Sequence, residues 1–142
     1  MPVQIFTDGA ARGNPGPAGI GVVIRNDAKV LVKVSDYIGK ATNNVAEYMA
    51  FIRGLEEALD MGERNIEVFS DSELLVKQIN GEYKVKNEGL IPLFHHAQSL
   101  THKFKHCRVY HTAREENKLA DKLANKGIDE QTTKGSPLFS GK

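Results

Sequence analysis

Four acidic residues, Asp8, Glu47, Asp71 and Asp121, stand in four separate segments beside apolar neighbours. Their surroundings read T-D-G-A-A-R-G-N-P-G, T-N-N-V-A-E-Y, F-S-D-S-E and E-E-N-K-L-A-D-K-L-A. Singly, each has an ordinary use, as a turn former, a helix N-terminal acid favoured by the dipole or part of a solvated helix face. As a set they suggest something else. Asp8 and Asp71 each follow a short β-rich run, which places them at one edge of a sheet, where ligands of open α/β sheets bind. Glu47 and Asp121 sit on helices that can face that edge. Carboxylates about 4 Å apart repel by about 4 kcal/mol at intermediate dielectric, and a divalent cation removes that cost. Oxygen donors without paired histidine or cysteine suit Mg²⁺ or Mn²⁺ rather than zinc. The chemistry expected of such a site is cleavage of a phosphodiester.

The elements that must position these acids can be read along the chain. Residues 3–7, 20–25 and 30–37 are β-rich, and Asn26-Asp27-Ala28-Lys29 supplies hairpin chemistry between the last two. Thr42 is a candidate N-cap for a helix over residues 43–60. Val45, Tyr48, Met49, Ile52, Leu55 and Leu59 share one face of it, and Gly62 is its expected stop. A strand over 66–69 precedes a helix over 72–80. A helix over 91–104, a strand over 108–111 and a helix over 115–126 that ends at Gly127 complete the series. The order βββαβααβα predicts an α/β protein with a mixed sheet flanked by helices.

Composition sets bounds. A chain of 142 residues, 40% hydrophobic and 26% charged, fits one domain with a core of its own. The net charge of +1 gives no strong basic field, so any contact with nucleic acid must be local. Cys107 is the single cysteine, which excludes a disulfide framework and reads as a small buried thiol. No apolar run approaches membrane-spanning length, and a strand pattern that begins at once argues against a cleaved leader. A cytoplasmic monomer is expected. Residues 1–127 read as the folded domain. Residues 128–142 read as a polar tail in which Leu138 and Phe139 form a small apolar handle.

Taken in order, D-G-A-A-R-G-N-P-G-P-A-G-I-G, T-N-N-V-A-E, S-D-S-E and E-N-K-L-A-D resemble the four signatures of type 1 ribonucleases H, over residues 3–127. The resemblance implies the ribonuclease H-like fold with a five-stranded mixed sheet. It implies a metal-dependent endonuclease that cuts the RNA strand of an RNA–DNA hybrid and leaves 5′-phosphate and 3′-hydroxyl ends. Two Mg²⁺ or Mn²⁺ ions are implied, one to activate water and one to stabilise the leaving oxygen. Asp8 would bridge them, Glu47 and Asp71 would hold the leaving-group side and Asp121 the nucleophile side. For the substrate, Gly9, Gly13 and Gly16 let backbone approach a sugar-phosphate closely, Asn14-Pro15-Gly16 resembles the segment that touches RNA 2′-hydroxyls, and the resemblance assigns Thr42 to a DNA phosphate pocket and Asn43 and Asn44 to groove contacts. Ser72, Glu73, Lys86 and Asn87 are further candidate contacts. Double-stranded RNA is an alternative substrate, and a non-catalytic hybrid-binding module is an alternative role.

Three departures refine the expectation. Asn80-Gly81-Glu82-Tyr83-Lys84-Val85-Lys86-Asn87 leads almost directly to the next helix, without the basic handle of some bacterial members, and this predicts salt-sensitive binding. Glu73 stands where many relatives have glutamine. His111 lies ten residues before Asp121, the spacing of a histidine in bacterial and vertebrate members, whereas Arg114 lies seven before it, as in archaeal-type members. Arg114 is the favoured of the two, which makes the chain an archaeal-like, handle-less variant. His95, His96, His102 and His106 follow no metal motif and read as surface residues.

Overall fold

The computed structural model describes residues 2–134. Strands β1 (Val3–Ala11), β2 (Gly16–Asn26) and β3 (Lys29–Ala41) form an antiparallel meander. Helix α1 (Asn43–Asp60) crosses to β4 (Asn65–Ser70), which pairs parallel with β1. Helices α2 (Glu73–Ile79) and α3 (Ile91–Thr101) lead to β5 (His106–His111), parallel to β4. A 3₁₀ turn (Arg114–Glu116) precedes α4 (Lys118–Lys134). The sheet order is β3-β2-β1-β4-β5, the five-stranded mixed sheet expected from the sequence. Among the described residues no helix is long and apolar enough to cross a membrane.

Alternation along β1 splits the two faces. Val3, Ile5 and Thr7 are buried on one side, where Ile5, Thr7 and Val22 lie beneath Gly54 of α1. Phe6 points the other way and packs with Val23, Ala120 and Leu123 under α4. The α1 face carries the main core, to which α2, α3, β4 and β5 add Leu75, Ile79, Leu100, Val68 and Val109. The predicted apolar face of α1 is incomplete. Ala46, Ala50, Phe51, Gly54 and Ala58 are also buried, because the helix is enclosed between sheet and α3, and small residues let it sit close to β1.

Two boundaries differ from expectation in ways that matter. β1 does not end at Asp8. Its pairing with β2 runs on to Ala11↔Ala18, while its pairing with β4 stops at Thr7↔Ser70. Nor does α4 end at Gly127. It continues to Lys134 with Ile128 buried, so the expected domain boundary falls inside a helix. Gly127 lies against the backbone of Asp36, where a Cβ would overlap the carbonyl oxygen. The glycine there permits helix–strand contact and is not a C-cap. Residues 135–142, with Leu138 and Phe139, lie outside the described residues.

Candidate active site

The end of the β1–β4 ladder builds the site. Asp8 and Asp71 are the next residues after the last parallel pair, Thr7↔Ser70, so the two strands deliver them side by side. Gly9 has no Cβ to hold α1 away. One there would overlap the backbone of Ala46 and Glu47. The first turns of α1 therefore rest on β1, and Glu47 Oε1 accepts a 2.9 Å hydrogen bond from the Gly9 N–H. Asp8, Glu47 and Asp71 each place a carboxylate oxygen within 4.8 Å of the other two. Asp121, in the first turn of α4, stands outside that triad but adjoins Asp8. Its carboxylate accepts from Asn125 Nδ2 at 3.3 Å.

The electrostatics are those of a cation site. Burial, then Glu47, Asp71 and Asp121, push the Asp8 carboxyl far above the carboxylate range. Burial also raises Glu47, and the Gly9 amide, Asp8 and the positive charge of Arg114 pull back against it. Without a cation, two buried acids resist ionisation. A divalent cation would relieve that cost and give the carboxylates of Asp8, Glu47 and Asp71 a shared partner. An all-oxygen donor set of this size fits Mg²⁺ or Mn²⁺, with Asp8, Glu47 and Asp71 as the holding residues and Asp121 at hand.

The expected substrate contacts fall into five groups. Asn14 and Asn43 tie the β1–β2 turn to the N-terminus of α1: Asn14 Oδ1 accepts from the Asn43 N–H at 3.0 Å, and Asn43 Oδ1 from the Ala11 N–H at 3.0 Å. Pro15 follows a cis peptide bond in that turn, and Asn44, the residue after Asn43 in α1, is exposed. Thr42 and Ser72 cap α1 and α2, each accepting at 3.2 Å, from Val45 and Leu75. Gly9 and Gly16 are buried, and what comes close to them is the protein itself, the α1 backbone at Gly9 and the Arg12 carbonyl at Gly16. The glycines are needed for that contact. Exposed Glu73 does not confront a phosphate alone, since Lys77 pairs with it at 3.0 Å and also caps the Tyr83 ring at 5.0 Å from its centroid. Lys86 and Asn87 lie in the helix-free α2–α3 connection, where Asn87 Oδ1 accepts from Gly89 at 2.7 Å. His111 closes β5, where its charge acts on Glu73, whereas Arg114 acts on Glu47. His95, His96, His102 and His106 are exposed, and Cys107 is half-buried with its thiol pushed up to about 11 by burial.

One residue that the sequence reading passed over is central. Asn117 is 1% exposed, and its Nδ2 donates to the Thr7 carbonyl at 2.9 Å and reaches Asp71 Oδ2 at 3.5 Å. Its place in E-E-N-K-L-A-D, one helical turn before Asp121, was the available signal. Asn125 is a second such residue, linking Asp121 to Arg12, which pairs with Asp129 at 2.6 Å.

Comparison with known proteins agrees with this geometry. The family described as "Reverse transcriptase-like" matches residues 6–127. The "Bifunctional protein Rv2228c" of Mycobacterium tuberculosis is 43% identical over 91% of the chain, which spans only 36% of that relative's length. A Legionella pneumophila "Ribonuclease H" is 34% identical over 92% of the chain and 99% of its own. Among solved structures, RNase H1 of Halobacterium salinarum superposes with a TM-score of 0.89 at 40% identity, covering 92% of this chain and 99% of that one. LC11-RNase H1 in complex with an RNA/DNA hybrid superposes at 0.87 with 44% identity, over 92% and 99%. The sheet, the converging acids and these relatives together make the chain a member of the type 1 ribonuclease H family.

Proposed function

We propose that the chain is an endonuclease that hydrolyses the RNA strand of RNA–DNA hybrids, using two divalent ions and leaving 5′-phosphate and 3′-hydroxyl ends. The observation that carries this reading is the convergence of Asp8, Glu47 and Asp71 within 4.8 Å at the end of the parallel ladder. Mg²⁺ or Mn²⁺ bound there supplies Lewis-acid activation of water and neutralises charge on the phosphate. The residues of the chain do the rest. Glu47 is held in place by the Gly9 amide. The N-terminus of α1, fixed to the β1–β2 turn by Asn14 and Asn43, presents amides suited to a phosphate of the duplex. Arg114, whose charge reaches Glu47, stabilises negative charge at the scissile phosphate and cannot shuttle protons. Lys77 neutralises Glu73 at the substrate edge. The hybrid in the LC11-RNase H1 complex supports the substrate class.

A labelled-RNA cleavage assay on hybrid, RNA duplex and single-stranded RNA, with and without Mg²⁺ or Mn²⁺, tests the reading. Hybrid is cut first, only with metal, and Asp8→Asn abolishes the activity. Metal-independent cleavage, or equal rates on single-stranded RNA, would sink it. Arg114→Ala lowers kcat at least about tenfold, as expected of a charge-stabilising group, while His111→Ala leaves kcat within about twofold. The opposite ranking assigns the assisting role to His111.

A further inference from the structure

Helix α4 covers the side of its sheet face made by β1, β2 and β3, and leaves β4 and β5 open. On that open side three aromatic rings from neighbouring strands stack in register. Phe6 and Phe69 lie 4.9 Å apart at 15°, and Phe69 and Tyr110 lie 5.4 Å apart at 26°. Phe6 is anchored against Val23, Ala120 and Leu123, Phe6 and Phe69 are half-buried, and Tyr110 is exposed, at 38%. The stack advances at the spacing of strands, about 4.8 Å, so its rings face along the sheet. It stops at Tyr110 because β5 is the edge strand. The outer π face of Tyr110 therefore looks off the sheet edge, where a further ring can continue the series.

Two more observations say what that ring is. Phe6 stands two residues before Asp8 on β1, and Phe69 two residues before Asp71, which directly follows the end of β4. The stack is thus about 7 Å along the strand from the metal-binding acids. Further down the same face an open cavity of about 350 Å³ is lined by Pro2, Asn65, Glu67, Lys105, His106 and Arg108. Arg108 and Lys105 form no ion pair among the described residues, even though Glu67 lies opposite Arg108 in the register. A free aromatic face with uncommitted cations beside it is the pattern that binds single-stranded nucleic acid. A base inside a duplex is already stacked and paired, whereas an unpaired one can add to the ladder.

We infer that the β4–β5 side of this face, with the outer ring of Tyr110 at its edge, is a stacking platform for an unpaired ribonucleotide adjoining the cut. The inference rests on the hybrid-cleaving reading. It makes the chain selective for hybrids whose RNA strand carries a single-stranded extension, as at the border between hybrid and free RNA.

Fluorescence polarisation of the Asp8→Asn protein in Mg²⁺ compares a blunt hybrid with the same hybrid carrying a short 5′ or 3′ ribonucleotide extension. One of the two extensions is expected to tighten binding about tenfold. The gain disappears in the Asp8→Asn/Tyr110→Ala protein and persists in Asp8→Asn/Tyr110→Phe, which keeps the ring and loses the hydroxyl. Blunt-hybrid affinity is the same in all three. Equal binding of blunt and extended hybrids, or a gain that survives Tyr110→Ala, overturns the inference and leaves hybrid cleavage intact. A Tyr110-dependent dimer in sedimentation would show that a second copy occupies the face and would overturn it too. Absence of binding to every hybrid overturns both readings.

Discussion

At the residue scale the site depends on a neutral side chain as much as on its acids. Asn117 takes over where the β1–β4 ladder ends, giving the Thr7 carbonyl the donor that a further strand residue would have given and reaching Asp71 with the same nitrogen. Asn117→Ala leaves a buried carbonyl unpaired and frees Asp71. We expect a loss of about 1–3 kcal/mol in urea unfolding and a raised Mg²⁺ requirement for cleavage. Unchanged stability in this variant would show that water replaces the amide at no cost. The four carboxylates were legible in the sequence because acids beside apolar residues at strand ends are chemically conspicuous. Asn117 was not, because an asparagine just before a helix reads as an ordinary cap and nothing local shows that its partner is 110 residues away. The same limit applies to Glu73, whose ion pair with Lys77 at i,i+4 spacing was readable in principle.

At the element scale, order and type followed from local chemistry. Thr42 does cap α1, Ser72 does cap α2, and the β-rich runs are the strands. Boundaries failed where a glycine served a neighbour rather than its own turn. Gly127 looked like a helix stop and proved to be the point where α4 touches β3. Gly19 and Gly21 carry the same lesson. They share one face of β2, and a Cβ on either would overlap the α4 backbone, at Ala124 and Ala120 respectively. This groove seats the helix that brings Asp121 to Asp8, so it links packing to chemistry. Gly21→Ala must push α4 outward by overpacking, which costs about 1–3 kcal/mol or more. Because the displaced residues adjoin Asp121, cleavage should fall by more than the stability loss explains. The check is activity measured where the variant is still fully folded by circular dichroism. Full activity there would mean that α4 can shift without moving its acid.

At the scale of the whole molecule, the clustered acids make stability depend on pH and metal together. Asp8 and Glu47 have folded pKa values raised above their unfolded values, chiefly by burial, with Glu47, Asp71 and Asp121 adding to the rise at Asp8 and Asp71 adding to it at Glu47. The folded, metal-free protein therefore holds protons that the unfolded chain releases. The sign follows: the contribution of these groups is fully present below about pH 4, near the unfolded carboxylate values, and is lost as pH rises through neutrality toward the folded values. Each group costs up to about 1.4 kcal/mol per pH unit across that window. Metal-free protein in a chelator should thus lose thermal stability between about pH 5.5 and pH 8.5, within the window set by the unfolded carboxylate pKa values and the raised folded ones. Asp8→Asn, which removes one buried charge and the repulsion it meets, should be more stable than the parent at the upper pH and should show a flatter profile. Mg²⁺, bound as proposed to the ionised triad of the folded state alone, should act in the opposite direction. At a hundred times its Kd it adds about 2.7 kcal/mol, and the added stability grows with pH as the competing protons leave. Differential scanning calorimetry of both proteins, with chelator and with Mg²⁺, checks all of this. A parent profile that is flat without metal, or a Mg²⁺ effect of equal size in Asp8→Asn, would mean that the acids do not share the charge the geometry assigns them.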